Sequence, residues 1–207
     1  LADIAGEMGI HLNPNDIDFK QPWMDYNNIT VFDKNGNNIL YMKRMWEAGS
    51  IKEVLGMELG RLFDPDICLS SYVVGTFRSR ILKREIPYLM VPWVEGRPIK
   101  KEESLQYPFE MGKQYEFGRW LCLYDCHSRH YFLQEDKTMK RIDYGQSFYK
   151  LYKEYEGFAD IWPKELFSIQ NFYEGIKNEH QKIRLRFDVI QDQIFKLLDI
   201  FALLELD

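Results

Sequence analysis

The sequence lacks several features that would place it in a well-defined class of protein. It has only three cysteines, Cys68, Cys122 and Cys126, and their spacing fits no disulfide framework. A reducing, cytoplasmic location is therefore predicted. No apolar run reaches the length of a membrane-spanning helix, because the most apolar part, residues 194–206, is interrupted by charged residues. We expect no transmembrane segment.

Positive charge is also scarce. The chain has 27 Lys and Arg against 32 Asp and Glu, and its formal net charge of -5 excludes broad electrostatic binding to nucleic acid. A local basic cluster either contacts an anionic substrate or lipid surface or forms a solvated hairpin tip. Its members are Arg78, Arg80, Lys83 and Arg84. No signal-peptide pattern is present at the N-terminus. The sequence begins with Leu1 rather than Met, so we expect a trimmed chain or a fragment.

Glycine is sparse in the first part of the chain. Between Pro14 and Lys43 the only glycine is Gly36. A glycine-rich phosphate-binding loop is therefore excluded there. The polar run at residues 25–28 is the only turn that can take its place.

The first half of the sequence predicts β-strands around a single helix. An Asn-Gly pair ending at Gly36 separates two runs of β-forming residues, which is typical of a hairpin whose second strand ends at Lys43. A second hairpin is predicted over residues 67–77 and 86–94. Between the hairpins, Ser50 and Glu53 have the spacing of a capping box, which predicts a helix start. The apolar positions that follow with helical spacing are Ile51, Val54, Leu55 and Leu62.

The second half of the sequence is predicted to be mainly helical. Residues 94–98 contain Gly and Pro and are the predicted hinge. An apolar stripe then predicts a helix that ends just before Asp125, with members Phe117, Trp120, Leu121 and Tyr124. Short strands are predicted at 130–133 and 139–142. Further helical stripes lie at 148–155, 166–176 and 183–201. The predicted class is α+β, with one domain at 1–96 and another at 97–207.

Two aspartates, 18 residues apart, carry the predicted chemistry. Asp125 begins the run Asp-Cys-His-Ser-Arg-His, and Asp143 begins Asp-Tyr-Gly. Two carboxylates beside tight turns can converge on a divalent cation and a reacting hydroxyl, as phosphoryl transfer requires. Both aspartates also have a simpler interpretation as turn-forming residues.

This order of parts resembles the protein-kinase-like fold, and in particular its atypical branch, the phosphatidylinositol 3-/4-kinase and HipA-like families. The catalytic loop D-x-H-x-x-N of those families corresponds to residues 125–130, and their D-F-G-like metal motif corresponds to residues 143–145. The resemblance covers residues 29–145. It implies two lobes, with ATP bound between a β-rich N-lobe and a helical C-lobe.

The resemblance implies a nucleotide site in the first half of the chain. Lys43 would bind the phosphates, and Glu58 would hold its ammonium group, with Glu53 as a competitor for that role. Lys43 also has a simpler interpretation as a solvated strand-edge charge. The segment at 90–94 would contact the adenine, with backbone groups binding the edge of the base. The side chains assigned to that segment are Met90, Val91 and Trp93.

The resemblance also implies the catalytic and metal-binding residues. Asp143 would bind Mg²⁺, and Asp125 would orient or deprotonate the acceptor hydroxyl, with His127 sharing that role. His130 stands where those families have the Asn that binds a second metal ion. Imidazole is a poorer ligand for Mg²⁺ than an amide oxygen, so a site that uses His130 would favour Mn²⁺.

The sequence therefore predicts an ATP-dependent kinase that transfers the γ-phosphoryl group to a hydroxyl on a protein, lipid or small molecule. Three alternatives stay open: a pseudokinase that binds nucleotide without phosphoryl transfer, a nucleotidyl transferase on the same fold, and a zinc or interaction domain. The zinc ligands would be Cys122, Cys126, His127 and His130. Only 62 residues follow Gly145, so a protein partner that completes the C-lobe is also expected.

Overall fold

The computed structural model describes Gly6 and residues 17–20, 28–44, 47–68, 73–78, 85–123, 125–144 and 162–204. The described part has the predicted α+β class, with two antiparallel sheets and three helices. Two predicted helical segments, 1–12 apart from Gly6 and 148–155, lie outside these residues. None of the helices described combines the length and the apolar character needed to span a bilayer.

The elements follow one another as strands, a helix, strands, and then mostly helix. The strands are β1 (Ile17–Lys20), β2 (Asn28–Asp33), β3 (Asn38–Arg44), β4 (Val73–Arg78), β5 (Glu85–Pro92), β6 (Arg97–Pro98), β7 (Tyr131–Leu133) and β8 (Met139–Arg141). The α-helices are α1 (Glu47–Phe63), α2 (Pro108–Trp120) and α3 (Gln170–Leu204). Short 3-10 turns cover Lys101–Gln106, Ser128–His130 and Lys164–Ser168.

The chain divides into two compact units. One comprises Leu1–Lys52 and Leu69–Glu95, and the other comprises Glu53–Cys68 and Gly96–Asp207. The division after Glu95 falls one residue before the boundary predicted from the sequence. Most of α1 belongs to the second unit, whereas the sequence interpretation had placed the whole helix in the first domain.

The first unit is built on a five-stranded antiparallel sheet with the order β1-β2-β3-β5-β4. Both predicted hairpins are confirmed, as the pairs β2–β3 and β4–β5. The turn between β2 and β3 is fixed by Asp33, whose Oδ1 accepts the backbone N–H groups of Asn35 and Asn37, each at 2.8 Å. Gly36 lies in this turn with φ 81°, a conformation that glycine adopts at little cost. Strand β1 was not predicted.

Helix α1 buries a different face from the predicted one. It begins at Glu47, three residues before Ser50, so the predicted capping box is not its start. The helical spacing of Leu55 and Leu62 correctly predicts a helix, but the two side chains are 45% and 41% exposed. The positions that are buried instead are Glu53, Gly56, Met57, Gly60 and Phe63. Glycine and glutamate give no apolar signal, so the sequence pattern could not show this face.

In the second unit, helices α2 and α3 cross at two glycines. A Cβ atom at Gly112 would lie 2.0 Å from the carbonyl oxygen of Phe172, and one at Gly175 would lie 2.0 Å from that of Phe109. Each glycine thus admits the backbone of the other helix. The core beside this crossing is formed by Ile99, Met111, Cys126, Tyr131, Leu133, Met139, Trp162, Leu166 and Phe172. The strands β6, β7 and β8 form a three-stranded antiparallel sheet in the same unit, which confirms the two short strands predicted near 130 and 140.

A buried polar group joins the end of α1 to α3. Asp64 and Glu179 are both fully buried, and Lys182 donates hydrogen bonds to Asp64 at 2.8 Å and to Asp66 at 3.2 Å. Burial raises the pKa of Glu179 to about 8, and the carboxylate of Asp64 adds to the increase. Burial also opposes ionisation of Asp64, but hydrogen bonds from Lys182 and the Asp66 backbone lower its pKa on balance. Glu179 is therefore largely protonated at neutral pH.

Glu179 makes the stability of the protein depend on pH. Its folded pKa, about 8, lies above the ordinary pKa of 4.5 that it has in an unfolded chain, so its contribution is fully present below pH 4.5 and is lost as pH rises through 8. Glu179→Gln should remove this loss, which we expect to amount to roughly a few kcal/mol because each pKa unit corresponds to about 1.4 kcal/mol. Urea unfolding at pH 5, 7 and 9 measures it. The exposed Glu174→Gln on the same helix is the control, and the same pH slope in both variants would contradict the assignment.

Candidate functional site

The loop after α2 positions the first predicted catalytic residue. The helix ends at Trp120, so the prediction that it reaches the residue before Asp125 was wrong. Cys122 has φ 49°, and the N–H of Leu123 binds the carbonyl of Gly118, which turns the chain away from the helix axis. Asp125 therefore lies in an irregular segment rather than at a helix end.

The structure brings four predicted residues of the second unit together. Asp125 Oδ1 lies 3.1 Å from Nε2 of His127 and 3.9 Å from Nδ1 of His130. Asp143 Oδ2 lies 3.6 Å from Nε2 of His130. The His130 ring is thus placed with one nitrogen towards each aspartate. The rings of His127 and His130 meet edge to face, with centroids 5.7 Å apart.

Hydrogen bonds and burial fix the state of His130. Its Nδ1 lies 3.3 Å from the carbonyl oxygen of Asp125, and its Nε2 accepts from Nε of Arg129 at 3.3 Å. These partners place the proton on Nδ1. Burial lowers the pKa of His130 below its usual value, and Arg141 lowers it further, although the carboxylates of Asp143 and Asp125 act in the opposite direction. The ring is therefore neutral at pH 7.

Arg141 holds the loop of Asp125 from the inside of the unit. Its side chain is fully buried, and its Nη2 donates to the carbonyl oxygen of Asp125 at 2.7 Å. Its Nη1 donates to the hydroxyl of Tyr131 and lies 3.8 Å from Sγ of Cys126. The guanidinium carbon also lies 4.8 Å from the centroid of the Tyr131 ring. One planar group thus fixes three parts of the loop.

The backbone around Asp143 is fixed on both sides. Asp143 has φ 62°, in the left-handed region, where a non-glycine residue carries strain of roughly 1 kcal/mol. On one side, the N–H of Arg141 binds the carbonyl of Ile67 at 2.8 Å. On the other, the N–H of Tyr144 binds Oε1 of Glu53 at 2.8 Å. These bonds keep the Asp143 carboxylate beside His130.

Tyr144 anchors the chain next to Asp143 in the interior of the unit. It is fully buried, its hydroxyl lies 3.1 Å from Sγ of Cys68, and it donates to the carbonyl of Arg141 at 3.3 Å. Burial raises the pKa of both groups, that of Cys68 to about 12. Both side chains are therefore neutral and serve a structural role.

The sequence pattern did not indicate Arg141, and it favoured Glu58 over Glu53 as the partner of Lys43. Glu58, the predicted partner of Lys43, is 44% exposed and forms an ion pair with Arg61 at 3.2 Å. Glu53 is 4% exposed, and its Oε1 accepts the backbone N–H of Tyr144. The sequence offers Glu53 both as a capping-box residue and as a competitor of Glu58, but nothing in the pattern predicts its contact with Tyr144.

The predicted nucleotide residues of the first unit lie on its central strands. Lys43 is half-buried on β3 and is paired with Leu89 of β5. Within the described residues, β5 pairs with β3 from Tyr88 to Pro92 and with β4 from Glu85 to Met90. Met90 is fully buried and Val91 is 7% exposed, which leaves Trp93, at 36%, as the exposed side chain of the three.

The described residues fit a metal ion bound by one or two carboxylates, water and phosphate better than a metal ion bound by protein side chains alone. Within them, no group of three or more His, Cys, Asp or Glu side chains is arranged to bind a metal, so the zinc alternative has no support. Mg²⁺ commonly takes one or two carboxylates together with water and phosphate oxygens. Asp143 meets that need, and Asp125 Oδ1 is buried without a hydrogen bond of good geometry. Both nitrogens of His130 already have partners, which makes it a weaker candidate ligand than predicted.

Arg141→Lys tests whether the buried guanidinium holds the site. A single ammonium cannot bind the Asp125 carbonyl and the Tyr131 hydroxyl with the same geometry, so we expect a loss of about 1–3 kcal/mol in the free energy of unfolding. Urea denaturation measures the loss. The reciprocal change Lys140→Arg, at the half-buried neighbouring position, is the control. Equal stability of the two variants would show that Arg141 is dispensable.

A scan against protein-family models and a search of curated proteins find no match for this chain.

Proposed function

We propose that the protein is an atypical ATP-dependent kinase that transfers the γ-phosphoryl group of ATP to a hydroxyl acceptor. The observation that carries the proposal is the position of His130, whose two ring nitrogens lie 3.9 Å and 3.6 Å from the carboxylates of Asp125 and Asp143. The sequence run that resembles a catalytic loop and the run that resembles a metal motif thus meet at one ring. This arrangement supports a single site with two separate carboxylate roles.

The second unit would supply the catalytic groups. Asp143 is the candidate ligand for Mg²⁺, which when bound would neutralise charge on the phosphates. Asp125 would hold the acceptor hydroxyl through its carboxylate. His127, 3.1 Å from Oδ1 of that carboxylate, would share the proton taken from the hydroxyl. The acceptor could belong to a protein, a lipid or a small molecule.

The first unit would supply the nucleotide-binding groups. Lys43 lies on β3, and a helix follows that strand, as in protein kinases, where a β3 lysine works with a glutamate of the next helix. Glu53 replaces Glu58 in this proposal, because Glu53 is the buried carboxylate of α1 that contacts the metal motif. The β5 backbone beyond Met90 is the candidate binding edge for the adenine.

A pseudokinase is the second candidate, and two observations favour it. The nitrogens of His130 have Arg129 and the Asp125 carbonyl as partners, which disfavours the ring as a metal ligand in place of the Asn of the resembling families. The chain between Pro14 and Lys43 also has no glycine-rich loop. Such a protein would bind nucleotide and a partner protein without transferring phosphate.

ATP is expected to raise the melting temperature, and the metal-dependent part of the rise should require Asp143. ATP with Mg²⁺ or Mn²⁺ at 100 times Kd should add about 2.7 kcal/mol of stability, and each kcal/mol corresponds to about 2–4 °C in a chain of this length. Asp143→Asn should abolish the metal-dependent part of the shift, because Asn keeps the side-chain shape and tolerates the left-handed backbone but carries no charge. Differential scanning fluorimetry measures both.

The control for that experiment is Glu135→Gln, which removes one negative charge at an exposed position of the same unit. It should shift with ATP and metal as the unmodified chain does. A chain that shows no shift with any nucleotide and metal would contradict both the kinase and the pseudokinase.

The reaction itself is resolved by intact-mass spectrometry after incubation with ATP and metal, together with measurement of ADP release. A gain of one phosphate, or ADP release that Asp125→Asn abolishes, is expected for a kinase. A gain of AMP would instead identify a nucleotidyl transferase. Binding with neither mass gain nor ADP release, tested with protein, lipid and small-molecule hydroxyl acceptors, would favour the pseudokinase.

A further inference from the structure

Arg129 is a charged residue of the site that has no role in the proposed reaction. It lies in the exposed part of the short turn Ser128–His130, and its Nε donates to Nε2 of His130 at 3.3 Å. Among the residues that the structure describes, its terminal nitrogens make no hydrogen bond or ion pair. The guanidinium is therefore held at Nε, and its two terminal NH2 groups bind none of the described residues.

The position of this cation is set by buried structure. His130 is 4% exposed, and its Nδ1 is fixed on the Asp125 carbonyl, so its Nε2 presents a lone pair in a constant direction. Asp143 Oδ2 lies 3.6 Å from the same Nε2. The guanidinium of Arg129 and the carboxylate of Asp143 thus both lie within 3.6 Å of His130 Nε2, although Arg129 itself is exposed.

We propose that Arg129 binds a phosphate of the nucleotide and supplies the positive charge that a second metal ion would otherwise provide, so that the site takes a nucleoside triphosphate with one divalent cation. This inference rests on the proposed function. It explains why a histidine is compatible with the site at position 130. His130 positions a guanidinium instead of binding a metal ion, and the terminal nitrogens of Arg129 can bind two phosphate oxygens side by side.

The number of metal ions bound is the first test. Purified protein is titrated with the non-hydrolysable ATP analogue adenylyl imidodiphosphate and Mn²⁺, and bound Mn²⁺ is counted by electron paramagnetic resonance. One Mn²⁺ per bound nucleotide is expected. Two Mn²⁺ per nucleotide in the unmodified chain would overturn the inference.

The second test changes the arginine. Arg129→Gln should weaken binding of the same analogue with Mn²⁺ by roughly tenfold or more, because charge-assisted hydrogen bonds to phosphate are lost. Lys101→Gln removes one positive charge at another exposed position of the unit and should leave the affinity unchanged. His130→Asn should release Arg129, supply an amide oxygen and raise the count to two Mn²⁺.

The outcomes separate this inference from the proposed function. If the unmodified chain binds no nucleotide, the proposed function fails and the inference fails with it. If nucleotide binds tightly but Arg129→Gln binds it as well as Lys101→Gln does, only the inference fails. The metal count of the unmodified chain decides the matter even if His130→Asn does not fold.

Discussion

The buried guanidinium of Arg141 is the contact on which the candidate site depends. It joins the end of β8 to the Asp125 carbonyl and the Tyr131 hydroxyl, and the same Asp125 carbonyl accepts from His130. A buried charge is costly unless hydrogen bonds and nearby polar groups compensate it, so the loop has little freedom to move away from the arginine. This contact fixes the Asp125 carbonyl, which in turn orients the ring of His130 and, through that ring, Arg129.

The strands were predictable because their signals are local. The Asn-Gly pair that ends at Gly36 and the alternating runs on either side of it need no knowledge of the rest of the chain, and both hairpins formed as predicted. Strand β1 carries no such turn signal. The buried face of α1 depends on close approach at Gly60, where a Cβ atom would lie 2.5 Å from Cys68 Sγ. Such a close approach at a glycine does not change the spacing of the apolar residues, so the sequence pattern cannot predict it.

Part of the candidate site could be predicted from the sequence, and part could not. Asp125, His127, His130 and Asp143 could be named because each belongs to a short run with a recognisable order, and the structure places them together. Arg141 could not be named, since a charged residue in a short strand is usually exposed and only the folded chain shows that this one is buried. For the same reason the sequence could not show that Glu53 is buried. It favoured Glu58, whose side chain lies at the surface in an ion pair with Arg61.

The left-handed backbone at Asp143 bears on how the protein could evolve. A glycine there would relax the strain, and a chain selected for stability alone would gain by carrying it. The strain persists because hydrogen bonds to Ile67 and Glu53 hold the flanking residues in place. If Asp143 has the proposed role, stability and chemistry compete at this position, because a glycine that relaxes the backbone also removes the carboxylate.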